Sequence, residues 1–248
     1  MKPRVFLACA VALVAIAGCS KPGDAATSKT VHLTRVAAPR GGDWTHLVTP
    51  TPQGGFLMGN PNAKVHLVEY GSLTCPHCRA FDQEGVPTLL NTYVKSGQVS
   101  YEFRNYVRDA FDLTAALIAR CNGAKGFFPL ADALYKDQPN WIAKIQAHSE
   151  DELKGLENLP ANQQFVKSAQ IAGLQQWAAM RGVPTAKSNQ CLSNENNVNQ
   201  LVQMTSDATT QYPDFRGTPT FILNGKMLDV GLWNELEPKI KAALGGRG

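Results

Sequence analysis

Val65-His66-Leu67-Val68-Glu69-Tyr70 is closely followed by Cys75-Pro76-His77-Cys78, and this juncture limits what the chain can fold into more than any other stretch. The run is short, β-branched and mostly apolar, as expected of a central strand, and Gly71 bounds it. From Cys78 the residues Phe81, Leu89, Leu90, Tyr93 and Val94 fall at helical spacings up to Gly97, with Pro87 expected to kink the helix. A strand therefore passes into a helix through a turn that carries two thiols able to close into a reactive disulfide. Val99, Tyr101 and Phe103 alternate with Ser100, Glu102 and Arg104, which predicts the next strand.

Upstream, Lys2 and Arg4 precede an apolar run from Val5 to Ala17 that is shorter than a membrane-crossing helix requires, so residues 1–18 read as a secretory signal. Ile16-Ala17-Gly18-Cys19 resembles a lipobox, which would make Cys19 a lipidated mature N-terminus; the competing reading is an ordinary signal peptide. Residues 19–42 lack apolar period and read as a flexible tether reaching about 25–30 Å. Loss of Lys2 and Arg4 lowers the formal charge from +4 to +2, which disfavours nucleic acid as a partner.

Four cysteines remain in the body: Cys75, Cys78, Cys121 and Cys191. In an exported protein an even count favours disulfides, and the close spacing of Cys75 and Cys78 leaves Cys121 with Cys191 as a structural pair, against the alternative of two buried free thiols. No second close pair of Cys or His is present, so no metal and no cofactor are expected.

Trp44–Val48 reads as a first edge strand. From Asp112 to about Gln211 the apolar spacing is helical, with breaks expected at Pro139, Pro160 and Pro184. Strand pattern then returns in Thr220–Leu223 and Lys226–Asp229, joined by Asn224-Gly225, a strong hairpin signal. A last helix covers about Leu232 to Leu244, with Pro238 expected in its first turn. The order is β, βα, β, a helical block, then ββα: an α/β chain whose core is split into residues 43–111 and 212–248 by a helical insertion over 112–211.

Thiol–disulfide exchange needs an accessible cysteine with a depressed pKa, which a helix N-terminus supplies to Cys75. Cys78, one turn further, is then the resolving thiol. Pro76 suits the first helical turn, and His77 can direct positive charge at the Cys75 thiolate, or else is simply solvated. Glu69 either points to solvent or lies buried under the dithiol as its proton acceptor. Thr218-Pro219 opens the late strand; a cis bond there would turn the Thr218 backbone toward Cys75 as a place for substrate to pair, and a trans bond is the ordinary alternative.

Taken together, Val65 to Tyr70, Cys75-Pro76-His77-Cys78, Thr218-Pro219 and the Asn224-Gly225 hairpin resemble the DsbA-like thiol:disulfide oxidoreductases of the thioredoxin superfamily over roughly residues 44–245. The resemblance implies a thioredoxin-like fold with a helical insertion beside the active site, a cis Pro219, and a buried acid at Glu69. It also implies that Cys121 and Cys191 form the extra disulfide of an alphaproteobacterial branch. Two departures stand out: no lysine lies near Val99 to Tyr101 to partner the acid, and Thr218 before the proline is shared with isomerase-type relatives.

The expected function is a monomeric, lipid-anchored periplasmic or envelope enzyme that donates its Cys75–Cys78 disulfide to reduced cysteine-containing proteins. A quinone-linked membrane oxidase of DsbB type would reoxidise it. The alternatives are a disulfide isomerase or reductase kept reduced by a membrane donor, and a non-catalytic binding lipoprotein or chaperone.

Overall fold

The structure is a computed structural model and describes residues 33–245; the expected signal sequence, Cys19 and residues 20–32 of the expected tether lie outside the described residues. Six strands form one mixed sheet: β1 (Val48–Pro50), β2 (Phe56–Gly59), β3 (Val65–Gly71), β4 (Val99–Asn105), β5 (Thr220–Leu223) and β6 (Lys226–Met227). They lie in the order β1-β2-β4-β3-β5-β6. Only β3 and β4 are parallel, with Val65 opposite Val99 and Glu69 opposite Phe103. The helix-bearing connection from β3 to β4 holds α1 (Pro76–Glu84), α2 (Val86–Thr88) and a π-helical run over Leu89–Val94. Pro87 sits in the first turn of α2, so the break falls just before it, at Gly85.

The insertion contains α3 (Ala110–Arg120), α4 (Gly123–Lys136), α5 (Gln138–Gln146), α6 (Glu150–Lys154), α7 (Ala161–Ile171), α8 (Leu174–Ala179), α9 (Thr185–Leu192) and α10 (Glu195–Gln211). Asp109 caps α3 by accepting from the amides of Phe111 and Asp112. Pro139, Pro160 and Pro184 mark helix starts rather than ends, because a proline needs no amide partner there. The apolar run 165–180 is broken at Gly173, which takes the left-handed conformation before α8. A final helix, α11 (Trp233–Ala243), returns to the sheet.

Side-chain alternation along β3 divides the core. Leu67 joins Phe81, Phe103, Phe127, Phe221 and Leu236 on one face, while Val68 and Tyr70 pack with Ile222 and Ala208 on the other. All seven residues of β4 are buried, including Ser100, Glu102 and Arg104, because helices cover both faces of this central strand. The polar alternation in that segment is therefore not a solvent face.

Three other expectations change. Trp44–His46 is a 3-10 turn capped by Asp43, and the edge strand starts only at Val48; Trp44 is buried, and its Nε1 donates to Val36 O at 2.8 Å. The last residues of the expected tether are docked: Val36 N donates to Ser96 O at 2.8 Å, and just beyond the tether Lys95 pairs with Asp43 at 3.2 Å. Pro238 lies inside α11, beyond the first turn; both it and Asn234, whose carbonyl loses its helical partner, are exposed, so water can take the freed bond. The hairpin at Asn224-Gly225 has both residues at positive φ (49° and 82°), the backbone a tight two-residue loop requires, though β6 is shorter than its apolar pattern.

Candidate active site

Chain geometry brings the two thiols to the C-terminal end of β3. Cys75 is the N-cap of α1 with Pro76 in the first turn, so the first amides of the helix face the Cys75 sulfur. Gly71 at the strand end has no room for a side chain: a Cβ there would meet the Phe103 ring at 2.5 Å and Glu69 Oε1 at 2.9 Å. The turn itself is held by the insertion. Gln138 Nε2 donates to the carbonyls of Leu73 (2.8 Å) and Cys75 (3.1 Å), and Tyr135 OH donates to Ser72 O (3.1 Å). Asp112 Oδ1 accepts from Leu73 N at 2.8 Å. The helical block is thus the frame of the CxxC turn.

Both cysteines are free thiols, Cys75 3% exposed and Cys78 fully buried. A hydrogen bond from Cys78, together with contacts from Thr218 and the amides of Cys78 and His77, outweighs burial and brings the Cys75 thiol down to about 5. Burial, the Cys75 sulfur and the charge of Glu69 push Cys78 far up, against one bond from Ser72 N at 3.5 Å. The pair is therefore split into one thiolate and one held proton. Pro76 and His77 are exposed; among the described residues the His77 ring makes no hydrogen bond, and its amide rather than its ring reaches the thiolate.

Glu69 is buried in β3, with Oε2 accepting from Tyr101 OH at 2.5 Å and Oε1 unpartnered. Burial raises its carboxyl to about 8; the Tyr101 bond opposes this, and Asp82 and Cys75 add to it. Where a lysine is missing, a tyrosine stands.

Thr218-Pro219 is cis, and Cys75 Sγ lies 3.2 Å from Thr218 O, to which it donates only while protonated. Beside them runs a groove of about 680 Å³ whose walls include Arg216, Gly217, Thr218, Pro219 and Leu228. Far from the dithiol, Cys121 and Cys191 are joined across 70 residues, with Cα atoms 5.7 Å apart, and tie the end of α3 to α9. Among the described residues no group of three or more His, Cys, Asp or Glu is arranged to hold a metal ion, and no helix is long and apolar enough to cross a membrane.

Motif spacing pointed to Cys75 and Cys78, and the family resemblance implied Glu69 and a cis Pro219 beside them, with Thr218 next to it; the structure brings these residues together. Sequence reasoning missed Tyr101, Asp82, Asp112, Tyr135 and Gln138. The strand alternation held a signal for Tyr101, since it shares a face with Phe103; the three insertion residues had none, because no local period reports a contact some 40 to 60 residues away in the chain.

The thioredoxin family model matches residues 51–242. Among curated relatives, a putative protein-disulfide oxidoreductase of Rickettsia bellii is 26% identical over 193 residues, covering 77% of this chain and 65% of that protein. The chain thus spans under two thirds of the length of the rickettsial relatives it matches. Disulfide bond formation protein D of Bacillus subtilis is 23% identical, covering 80% and 81% of the two chains. Among solved structures, a protein-disulfide isomerase from Novosphingobium aromaticivorans superposes with a TM-score of 0.73 at 35% identity, covering 77% of this chain and 97% of that one. Alpha-DsbA1 of Wolbachia pipientis shares the fold, with a TM-score of 0.63 at 21% identity and coverage of 82% and 96%.

Proposed function

The chain belongs to the thioredoxin family, and from that premise we propose that it is a DsbA-like thiol:disulfide oxidase of the cell envelope. The single observation that carries the reading is the split of the dithiol, a stabilised thiolate at Cys75 beside a proton held on buried Cys78. Any group that stabilises the reduced thiolate makes the corresponding disulfide a stronger oxidant.

In the forward direction a substrate thiolate attacks Cys75 Sγ of the Cys75–Cys78 disulfide. The mixed disulfide forms, and Cys78 leaves as a thiolate. Glu69, protonated up to about pH 8, gives its proton to Cys78 and becomes a carboxylate. A second substrate thiolate then attacks the substrate sulfur, the substrate disulfide forms, and Cys75 departs as the stabilised thiolate. The groove beside Thr218 and Pro219 is the place for the substrate backbone, and the His77 amide helps to hold the Cys75 thiolate. Cys121–Cys191 takes no part in exchange.

The wider setting belongs to the same proposal: a signal over residues 1–18, lipid on Cys19, a periplasmic body acting as a monomer, and reoxidation by a quinone-linked membrane oxidase of DsbB type. The family relation also supports a second reading, disulfide isomerase, favoured by Thr218 before the cis proline and by the isomerase name of the Novosphingobium protein. Equilibration with glutathione buffers decides between them. A strongly oxidising potential is expected, and a thioredoxin-like one would sink the oxidase reading. Cys75→Ala should abolish oxidation of a dithiol peptide; unchanged activity would leave only the non-catalytic binding role.

A further inference from the structure

Two buried carboxylate oxygens near the dithiol lack a hydrogen-bond partner: Glu69 Oε1 and Asp82 Oδ2. Asp82 stands four residues beyond Cys78 on α1, so it lies on the same side of the helix, one turn along. It looks into a cleft of about 350 Å³ between α1–α2 and α4, whose walls include Met58, Val86, Tyr101, Phe128 and Asp132. Tyr101, itself buried, is in the wall of this cleft, and its hydroxyl holds Glu69. At the rim, Asp132 pairs with Lys136 at 2.8 Å, their side chains 45% and 65% exposed. A largely apolar cleft thus carries an unpartnered carboxylate in the same walls as Tyr101, the residue that holds the buried acid.

We propose that this cleft is the proton port of the dithiol and that Asp82 carries protons between solvent and Glu69. The inference rests on the exchange chemistry proposed above. After Glu69 has protonated Cys78, it is a carboxylate in an apolar site. Asp82, as the acid, returns a proton to it through water in the cleft and is itself reprotonated by solvent at the rim. One proton moves in each transfer, and no electrons move. Tyr101, whose own ionisation burial and Glu69 push well above its ordinary range, orients Glu69 and keeps its proton.

The surroundings suit Asp82 to the task. Burial, and then the charge of Asp132, raise its carboxyl to about 7, while Lys136 pulls the other way. The titratable groups around it are Asp132, Lys136 and Tyr135 of α4, Tyr101 of β4, Glu69 of β3, and the two thiols of its own helix. An acid that exchanges its proton near neutral pH is the one a relay needs. The insertion helix α4 thus sets the proton affinity of a residue in the thioredoxin core.

The test uses the full chain cycling repeatedly between a dithiol peptide and an excess of oxidised glutathione, from about pH 5 to about pH 9, so that Glu69 must be reprotonated in every cycle. The ratio of native to variant rates at each pH cancels the titration of the peptide thiols. Asp82→Asn should slow turnover about tenfold or more below neutrality, with the ratio falling toward one above about pH 8. Asp82→Glu should keep the native profile, and added imidazole, a small acid able to enter the cleft, should restore Asp82→Asn. Ala131→Phe, which narrows the cleft with Asp82 in place, should lose rate without recovering in imidazole. An unchanged rate and pH profile in Asp82→Asn would overturn the proposal. So would a slow Asp82→Asn that imidazole does not restore, since that marks a structural role only. A native chain that oxidises no peptide would instead sink the proposed function itself.

Discussion

Glu69 and Glu102 are the same residue on neighbouring strands, each 1% exposed, and the sheet register sets them on opposite faces. Their chemistry is nonetheless opposite. Glu102 receives Arg104 on both oxygens (2.7 and 3.1 Å) and the Thr51 hydroxyl (2.7 Å), and His66 Nε2 lies 3.1 Å away. Burial alone would raise its carboxyl, but the bonds from His66, Arg104 and Thr51 hold it at about 2. Among the described residues Glu69 has only the Tyr101 hydrogen bond, and it stands at about 8. Burial therefore does not decide the charge of an interior acid; the donors built around it do. One glutamate is locked as a structural anion. The other is left free to change.

The largest test of this contrast removes the compensation. Arg104→Met should destabilise the fold by about 3–5 kcal/mol in urea unfolding, because Glu102 is left buried and unpaired. Adding Glu102→Gln should recover most of the loss; a loss below about 1 kcal/mol in the single variant would mean that Arg104 is not what holds the charge.

Glu69→Gln probes the other side. The native carboxyl binds its proton more tightly than the unfolded chain does, so its contribution is whole at low pH and is lost as pH rises from about 4.5 through about 8. The variant lacks that loss. Relative to native protein it should gain about 3 kcal/mol between about pH 5 and about pH 8, while thiol exchange slows. A pH-independent difference would mean that Glu69 is already ionised at low pH. Glu102 has the reverse sign: its contribution is present above about 4.5 and fades as pH falls through about 2.

The smallest effect is at His66. Its ring is 39% exposed, so His66→Ala should cost under about 1 kcal/mol and raise slightly the pH at which acid unfolding begins.

The contrast between the two acids also shows where sequence reading ends. Val65 to Tyr70 announces a buried strand because its composition leaves no other economical fate, and the Cys75 to Cys78 turn and the Asn224-Gly225 hairpin are local chemistry that a local motif can carry. Glu69 has even prospects from periodicity, since period two gives the side but not which side is covered. The alternation of Ser100, Glu102 and Arg104 with apolar residues likewise marks a strand without saying that α10 closes their face of the sheet. Asp82 was invisible: an acid on an amphipathic helix looks ordinary until α4 walls it in. Pro238 was misplaced because a helix with a proline in its exposed middle leaves no mark that a pattern of apolar residues records.

The docking of Val36 on Ser96 gives the molecule a direction. Ser96 precedes β4, and β4 runs parallel to β3, so the chain enters the body at the foot of the two strands whose heads carry the dithiol. Seven residues of strand put about 20 Å between the two ends. The segment at Val36 and the reactive sulfur therefore lie at opposite ends of the same pair of strands, so a contact made at one leaves the other uncovered.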